Sequence, residues 1–280
     1  MLDTEFAALV RRNVANSFDE DIHSGDLSAQ LLPAALTCSA RVITRQQAVL
    51  CGTPWFDECF RTLDPDCMIN WHARDGDMIV AGQSLCEVKG NARALLGAER
   101  SALNFLQTLS GTATRTRQYV DAVGGINVKI MDTRKTLPGL RQAQKYAVRV
   151  GGGHNQRIGL FDGILIKENH IAAAGGIKPV LEQAFLLAKP GISVQIEVES
   201  LAQLEEALAA GAKLILLDNF DLDNLRAAVQ HAGKRAELEA SGGITLENLR
   251  DVALTGVGRI SIGSLTKDVQ TIDLSMRFTA

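Results

Sequence analysis

The sequence has no long apolar run, which excludes a membrane-spanning helix. Such a helix needs about 18 or more consecutive apolar residues, and no segment of the 280-residue chain approaches that length. The amino-terminal pattern MLDTEFAALVRRN is that of an amphipathic helix with acidic residues, unlike a signal or transit peptide. We therefore expect the protein in the cytoplasm.

Cysteine is scarce, and its spacing excludes a zinc site. The five cysteines fall in the first third of the chain, with no C-x-x-C pair and no histidine at metal-ligand spacing. We predict that they are small buried apolar side chains of a reducing compartment. The H-E-x-x-H pattern is also missing, so we expect no tightly held transition metal.

Positive charge is not in excess, and a net charge of −3 excludes a broad basic face for nucleic acid. The average conceals one basic stretch, because the residues from Lys129 to Lys167 include eight lysines and arginines against only Asp132 and Asp162. Such a stretch is either a solvated surface or a set of cations that converges on a small anion. The position of these residues relative to the strands decides between the two.

Two patterns of secondary structure divide the chain. The first part is α+β in pattern, and it ends in a long helical segment over about residues 92–121 that SGTATRT interrupts. After about residue 125, short β-branched runs alternate with helical windows rich in Ala and Leu, as in parallel βαβ units. Six such units, without a G-x-G-x-x-G that opens a helix, favour a parallel α/β barrel over a dinucleotide-binding sheet.

Polar residues follow the six predicted strands, which are NVKIM, GILI, VQIEV, KLILL, AELEA and RISI. Because parallel strands place their carboxyl ends on one face, we expect these residues to meet in a single mouth, where barrel enzymes hold their active sites. The segments concerned are Asp132-Thr133-Arg134-Lys135, Lys167-Glu168-Asn169-His170, Glu199-Ser200, Asp218-Asn219, Ser241-Gly242-Gly243 and Gly263-Ser264.

The residue types at this mouth suit a ligand with several anionic groups. Arginine and lysine bind carboxylates and phosphates, and four such residues are Arg134, Lys135, Arg157 and Lys167. Glu197 and Asp218 offer hard oxygen ligands for Mg²⁺, although pairing with a nearby lysine or arginine explains them equally well. Glycines after the last two strands fit a phosphate loop.

The ordered segments of the sequence resemble one family. They are GAERSALNFLQTLSG, MDTRKTLPGLR, KYAVRVGGGHNQRIGLFDGILIKENHI, QIEVES, LLDNF, EASGGI and ISIGSLTK, with a weaker similarity in DEDIHSGDLSAQLLP. Collinearly from about Gly97 to Lys267, they resemble quinolinate phosphoribosyltransferase, the decarboxylating nicotinate-nucleotide pyrophosphorylase. The resemblance implies an α/β fold with an N-terminal α+β sandwich domain over residues 1–113. An incomplete parallel α/β barrel would follow over residues 114–280, with its last residues packed back on the first domain.

The resemblance also implies an activity and a set of site residues. The family transfers phosphoribosyl from phosphoribosyl pyrophosphate to quinolinate with loss of CO₂, giving nicotinate mononucleotide in NAD biosynthesis. Lys135, Glu197 and Asp218 would be catalytic, and the two carboxylates would also hold Mg²⁺. Quinolinate would be bound by Arg134, Gln156, Arg157 and Lys167, and by Arg100 from the partner subunit of a homodimer. Phosphoribosyl pyrophosphate would be bound by Lys135, Ser241, Gly242, Gly243, Gly263 and Ser264.

Three other functions fit some of these residues. A relative associated with molybdenum transport shares much of the motif set, but the complete basic set argues against it. A lyase would use Lys167 as a Schiff-base nucleophile, although the surrounding charged groups exceed what it requires. A non-catalytic anion sensor would bind quinolinate without turnover, with Gln156 as the disabling change.

Gln156 is the one marked departure from the family, since Asn155-Gln156-Arg157 stands where the family typically has N-H-R. Glutamine keeps a donor and an acceptor but cannot carry positive charge. We predict that Gln156→His strengthens quinolinate binding, because an imidazolium would add attraction to a dicarboxylate. Steady-state KM and kcat for quinolinate test this, and unchanged values of both would show the prediction to be wrong.

Overall fold

An antiparallel sheet and a parallel sheet organise two separate units of the chain. The computed structural model describes residues 4–279. The first unit contains the residues through Arg117, Leu137–Gly152 and the residues from Asp268 onward, whereas the second contains Gln118–Thr136 and Gly153–Lys267. Within the described range, no helix combines the length and apolar character that crossing a membrane requires.

Ten α-helices, twelve strands and a short 3-10 helix at Ala29–Leu31 make up the regular structure of residues 4–279. The helices are α1 (Thr4–Asp21), α2 (Thr53–Leu63), α3 (Ala92–Ala122), α4 (Arg141–Val150), α5 (Glu168–Ala174), α6 (Ile177–Leu187), α7 (Leu201–Ala209), α8 (Leu222–Ala232), α9 (Leu249–Ala253) and α10 (Ser264–Lys267). The strands are β1 (Thr37–Thr44), β2 (Ala48–Val49), β3 (Met68–Trp71), β4 (Met78–Ile79), β5 (Ser84–Asn91), β6 (Lys129–Met131), β7 (Gly163–Ile166), β8 (Ser193–Val198), β9 (Leu214–Asp218), β10 (Glu237–Ser241), β11 (Arg259–Ser261) and β12 (Leu274–Thr279).

The first unit is built on an antiparallel sheet with the strand order β12-β1-β5-β3. β12 pairs with β1 from Ser39 opposite Thr279 to Thr44 opposite Leu274. The core around it is aromatic, and the Trp55 ring is fully buried while its Nε1 donates to Asn13 Oδ1 at 3.1 Å. This pairing satisfies the one polar group of the largest core side chain.

The five cysteines are free thiols of the first unit. Cys51, Cys59, Cys67 and Cys86 are buried and Cys38 is half-buried. Burial raises the pKa of the Cys67 thiol to about 11, so that the reactive thiolate is rare at neutral pH. The prediction of small buried apolar side chains is confirmed for the four buried cysteines.

α3 is a single helix from Ala92 to Ala122, so the prediction that SGTATRT interrupts it is wrong. The hydroxyls in this segment find local partners. Ser110 Oγ accepts from Cys51 N and donates to Cys51 O, and Thr116 Oγ1 donates to the carbonyl of Thr112 at 2.8 Å. Gly111 packs against the Gln270 carbonyl with no room for a Cβ. The small polar residues serve close packing and do not end the helix.

The second unit is built on a parallel sheet with the strand order β6-β11-β10-β9-β8-β7. All six predicted strands are present within one or two residues of their predicted bounds. The sheet does not close, because β6 and β7 pair on one side only and leave an opening between them. The fold class predicted from the sequence, an N-terminal α+β region followed by an incomplete parallel α/β barrel, is confirmed.

The two faces of the parallel sheet differ in polarity. Ile196, Ile215, Leu238 and Ile260 point to one face and form the core of the unit together with apolar residues of the helices. Side chains alternate along a strand, and the register aligns the intervening residues of neighbouring strands. The opposite face therefore carries a polar set, which comprises Gln195, Glu197, Asp218, Glu237, Glu239, Ser241, Arg259 and Ser261.

Candidate active site

The predicted site residues are placed mainly at the carboxyl ends of the parallel strands. Arg134 and Lys135 follow β6, Lys167 follows β7, Glu197 lies in β8 and Asp218 ends β9. Ser241 ends β10 and the loop glycines follow, while Gly263 and Ser264 follow β11. Because these strands are parallel, their ends lie on one side of the second unit. This places the residues where the sequence analysis expected them.

Three residues of the predicted set, Gln156, Arg157 and Arg100, neither lie in a strand nor follow one directly. Arg157 precedes β7 in an extended segment that runs beside β6, with a parallel bridge between Met131 and His154. Arg157 precedes its strand, unlike the other three cations expected at the mouth, but the segment still brings it near Arg134. Arg100 is an exposed residue of α3 in the first unit.

Arg134 and Arg157 form a pair of neighbouring cations. Burial lowers the pKa of the Arg157 guanidinium, the charge of Arg134 lowers it further, and Asp162 opposes the shift. Arg157 Nη1 donates to the Gly163 carbonyl at 2.9 Å, which holds the side chain along the start of β7. A bound anion would relieve the repulsion between the two guanidinium groups, so this pair is suited to a carboxylate or phosphate.

Lys167 and Glu197 form an ion pair. Lys167 Nζ lies 2.7 and 3.0 Å from the two carboxylate oxygens of Glu197. The Glu197 side chain is 11% exposed and that of Lys167 is 45% exposed, so the lysine is the partner open to solvent. The sequence analysis gave these residues separate ligands, and it also left pairing between a carboxylate and a nearby cation open. The geometry supports the pairing.

Lys135 is anchored through its backbone on both sides. Its N–H donates to Thr133 Oγ1 at 3.0 Å, and its carbonyl accepts from Thr266 Oγ1 at 2.7 Å. Thr266 is fully buried, and Gly263 leaves only enough space for the lysine stem, since a Cβ there would lie 3.1 Å from Lys135 Cδ. Sequence reasoning missed Thr266, whose only signal was its place in the ISIGSLTK segment.

Asn219, which follows Asp218, packs closely against the glycine loop Ser241-Gly242-Gly243. Asn219 adopts a left-handed conformation at φ 56°, its N–H donates to the Ser241 carbonyl at 2.9 Å, and its amide donates to Asp218 Oδ2. Gly242 has φ 99°, and a Cβ at this position would overlap the Asn219 side-chain oxygen. Glycine is therefore required at position 242 for the backbone to approach Asn219 this closely.

The carboxylates of Glu197 and Asp218 suit Mg²⁺ only if the ion binds together with a phosphate ligand. Among the described residues, no group of three or more His, Cys, Asp or Glu side chains could hold a metal ion. Glu197 is already paired with Lys167, and Asp218 is half-buried at the end of β9. Mg²⁺ commonly takes one or two carboxylates and completes its coordination with phosphates and water, and these two side chains match that pattern.

Gln156 is held by two buried carboxylates: Asp132, which the sequence analysis expected at the mouth, and Glu239, which it missed. Its backbone N–H donates to Asp132 Oδ1 at 2.8 Å, and its Nε2 lies 2.5 and 2.6 Å from the two oxygens of Glu239. Glu239 also accepts from Gln195 Nε2 at 3.0 Å. The only available signal was the position of Glu239 between Leu238 and Ala240 in a strand.

The fold and the site together define an incomplete α/β-barrel protein that carries a group of lysine and arginine side chains near the ends of its strands. Comparison with known families is more specific. The N-terminal domain model of quinolinate phosphoribosyl transferase matches residues 26–110, and the C-terminal domain model matches residues 112–277. The chain belongs to the quinolinate phosphoribosyl transferase family.

Individual relatives match over nearly the whole chain. A protein of Bacillus subtilis (strain 168), named a probable nicotinate-nucleotide pyrophosphorylase (carboxylating), is 44% identical over 262 residues, which cover 94% of this chain and 91% of that protein. A nicotinate-nucleotide pyrophosphorylase (carboxylating) of Mycobacterium leprae (strain TN) is 42% identical over 98% of both chains. The solved structure of the nicotinate-nucleotide pyrophosphorylase from Francisella tularensis aligns with a TM-score of 0.92 and 43% identity, covering 98% of this chain and 97% of that one.

The glycine loop gives a direct test of the site geometry. Gly242→Ala is expected to destabilise the protein by about 1–3 kcal/mol, because alanine is strained at this φ and its Cβ overlaps Asn219. Gly243→Ala is the matched control, since it also has a positive φ (60°) but open space around its Cβ. Urea unfolding measures both changes, and equal losses in the two variants would contradict the proposed close approach to Asn219.

Proposed function

We propose that this chain is a decarboxylating quinolinate phosphoribosyltransferase of NAD biosynthesis, which forms nicotinate mononucleotide, pyrophosphate and CO₂ from quinolinate and phosphoribosyl pyrophosphate. The observation that carries the proposal is the Arg134–Arg157 cation pair in a chain that matches both domains of this family. Quinolinate carries two carboxylates on adjacent ring carbons, and paired guanidinium groups suit such a dianion. The cytoplasmic location expected from the sequence is part of the same proposal.

The chain's residues would act mainly by orientation. Arg134, Arg157 and Lys167 would fix the dicarboxylate so that the pyridine nitrogen faces C1 of the ribose. Alignment of two reactants can contribute on the order of 7–11 kcal/mol to a reaction barrier. Lys135, whose backbone is anchored by Thr133 and Thr266, would place its ammonium toward the phosphates, and the Gly242 loop would bind the 5′-phosphate.

Bond formation and cleavage follow from this placement. The nitrogen lone pair forms the N–C1 bond, while the C1–O bond breaks and its electrons leave with pyrophosphate. Lys135 would stabilise the charge of that leaving group. Asp218 and Glu197 would hold Mg²⁺ or the ribose hydroxyls, and the bound ion would further neutralise the pyrophosphate.

Loss of CO₂ would follow from the charge on the ring. Once the nitrogen is quaternary, the electrons of the bond between the ring and the adjacent carboxylate are stabilised by the positive nitrogen, and a proton from solvent replaces the carboxylate. No side chain needs to act as an acid or base at that carbon. The requirement on the protein is a fixed dicarboxylate, which the arginines supply.

The contacts of Lys167 bear on the lyase alternative. A Schiff-base lysine must present its amine to a carbonyl carbon, whereas Lys167 Nζ is engaged by both carboxylate oxygens of Glu197, at 2.7 and 3.0 Å. This geometry supports the transferase over the lyase.

The direct test is formation of nicotinate mononucleotide and pyrophosphate from quinolinate and phosphoribosyl pyrophosphate, with and without Mg²⁺. We expect product that depends on Mg²⁺ and on quinolinate, and no product when nicotinate replaces quinolinate. Lys135→Ala is the matched inactive control. Quinolinate binding without product would refute the transferase and favour the anion sensor.

The homodimer is a second part of the proposal. Arg100 is exposed on the first unit, as a residue donated to a partner's site must be. Large apolar side chains are also exposed on each unit, with Leu27 and Leu31 at 82% and 86%, and Leu160 and Phe161 at 74% and 77%. Such residues favour a surface covered by a second copy of the chain.

Subunit complementation tests the shared site. Arg100→Ala and Lys135→Ala are each expected to be inactive as homodimers. Mixed dimers would contain one intact site, because one subunit supplies Lys135 and the other Arg100, so random exchange should restore about a quarter of the wild-type activity. Two separately prepared Arg100→Ala samples provide the control. If the mixture gains no activity after subunit exchange, Arg100 does not act across a dimer interface.

A further inference from the structure

Glu239 is a buried carboxylate for which the reaction proposed above supplies no role. It is 1% exposed, and its neighbours Leu238 and Ala240 point into the apolar core of the second unit. Glu239 therefore points to the polar face of the parallel sheet. A buried charge is costly unless it is well hydrogen-bonded, so its contacts indicate what it does.

Two amide side chains meet at Glu239. Gln156 Nε2 lies 2.5 and 2.6 Å from the two carboxylate oxygens, and Gln195 Nε2 donates to Oε2 at 3.0 Å. Gln156 Nε2 also lies 3.3 Å from Gln195 Oε1. An ionised carboxylate only accepts hydrogen bonds, so Glu239 fixes which end of the Gln156 amide faces it. The amide nitrogen of Gln156 is therefore directed to Glu239.

The residues around Gln156 span the opening of the parallel sheet. On the β6 side, the His154 N–H donates to the Ile130 carbonyl at 2.8 Å, and Asp132 N–H donates to the His154 carbonyl at 3.0 Å. On the β7 side, Arg157 Nη1 donates to the Gly163 carbonyl. Between these edges, Gln156 reaches Glu239 on β10. Residues 154–157 are thus tied to both edges and to the inner face of the sheet.

This arrangement couples Glu239 to Arg157. Gln156 and Arg157 are adjacent, so a shift of the Gln156 backbone would move the Arg157 guanidinium relative to Arg134. Arg134 and Arg157 are like charges close enough to affect each other, so a restraint on the segment favours the placement of Arg157 beside Arg134 before a ligand binds. Glu239 provides this restraint through Gln156 and does not itself contact the Arg157 guanidinium.

We propose that Glu239 is a positioning residue for quinolinate: through Gln156 it holds residues 154–157 across the sheet opening and so pre-orients Arg157 beside Arg134. The inference deepens the proposed function and rests on it. It assigns Gln156 a structural link to Glu239 in place of a direct contact with the substrate.

Kinetics of Glu239→Gln test the positioning role. The variant keeps the size of the side chain but loses one acceptor, so we expect kcat/KM for quinolinate to fall about 10- to 100-fold. KM for phosphoribosyl pyrophosphate should stay within about twofold. Glu237→Gln is the matched control, because Glu237 lies on the same face of β10 and pairs instead with Arg259 and Lys129. Its kcat/KM for quinolinate should stay within about twofold of wild type.

A histidine introduced at position 156 tests the contact between residues 156 and 239 without an activity assay. The carboxylates that face this position are Glu239 on β10 and Asp132 after β6. In Gln156→His, a nearby carboxylate favours the imidazolium, so the introduced ring should titrate with a pKa above the ordinary value of about 6.5. Adding Glu239→Gln should lower that pKa by about one unit or more. Histidine NMR signals absent from the wild-type spectrum measure both titrations.

The outcomes separate the inference from the proposed function. A quinolinate-specific loss in Glu239→Gln, together with an elevated titration that depends on Glu239, supports the inference. An unshifted titration in folded Gln156→His overturns it even if Glu239→Gln does not fold, and so does equal behaviour of Glu239→Gln and Glu237→Gln. If wild-type protein makes no nicotinate mononucleotide, the proposed function fails, while the titration still reports the contact and calorimetry still reports quinolinate binding.

Discussion

The constraint on which the second unit depends is that one face of its parallel sheet carries charged and amide side chains that are buried or half-buried. Helices cover the apolar face, so the charged groups of the other face must find partners among themselves. Glu239 accepts from Gln156 and Gln195, Glu197 pairs with Lys167, and Glu237 binds both Arg259 and Lys129. Each of these contacts joins different strands or segments. The polar face therefore both holds the open sheet together and prepares it for a charged ligand.

Some contacts of this face would persist when a substrate binds, whereas others would be replaced by contacts with the substrate. Glu239 is almost fully buried and its partners are uncharged amides, so nothing in the proposed reaction competes for it. The Lys167–Glu197 pair differs, since the lysine is 45% exposed and the proposed substrates carry carboxylates and phosphates. In the proposed reaction, an anion that takes up Lys167 leaves Glu197 available to the ribose or to Mg²⁺. Lys167 and Glu197 would then pair with each other before the substrates bind, and would contact the substrates separately afterwards.

The sequence predicted the strands of the second unit well because most are short runs rich in Val, Ile and Leu that are followed by polar residues or glycine, a local signal. It also placed Arg134, Lys135, Lys167 and Asp218 correctly, because parallel strands end on the same side. It failed where the deciding contacts are distant in sequence. The small polar residues of SGTATRT predicted a break in α3. The helix continues because partners distant in sequence satisfy these groups, as Cys51 does for the Ser110 hydroxyl. The link from Glu239 to Gln156 joins residues 83 positions apart, and no local pattern marks it.

The pairing of β12 with β1 has a consequence for how the protein is made. β1 and β5 leave the ribosome early, but the strand that completes their sheet, Leu274–Thr279, is translated only after the entire parallel sheet. Until then the outer edge of β1 is an unpaired strand edge, which is prone to pair with other chains. The first unit begins to be synthesised first and is completed last, so a ribosome that stalls within the second unit leaves an exposed β edge on a nascent chain.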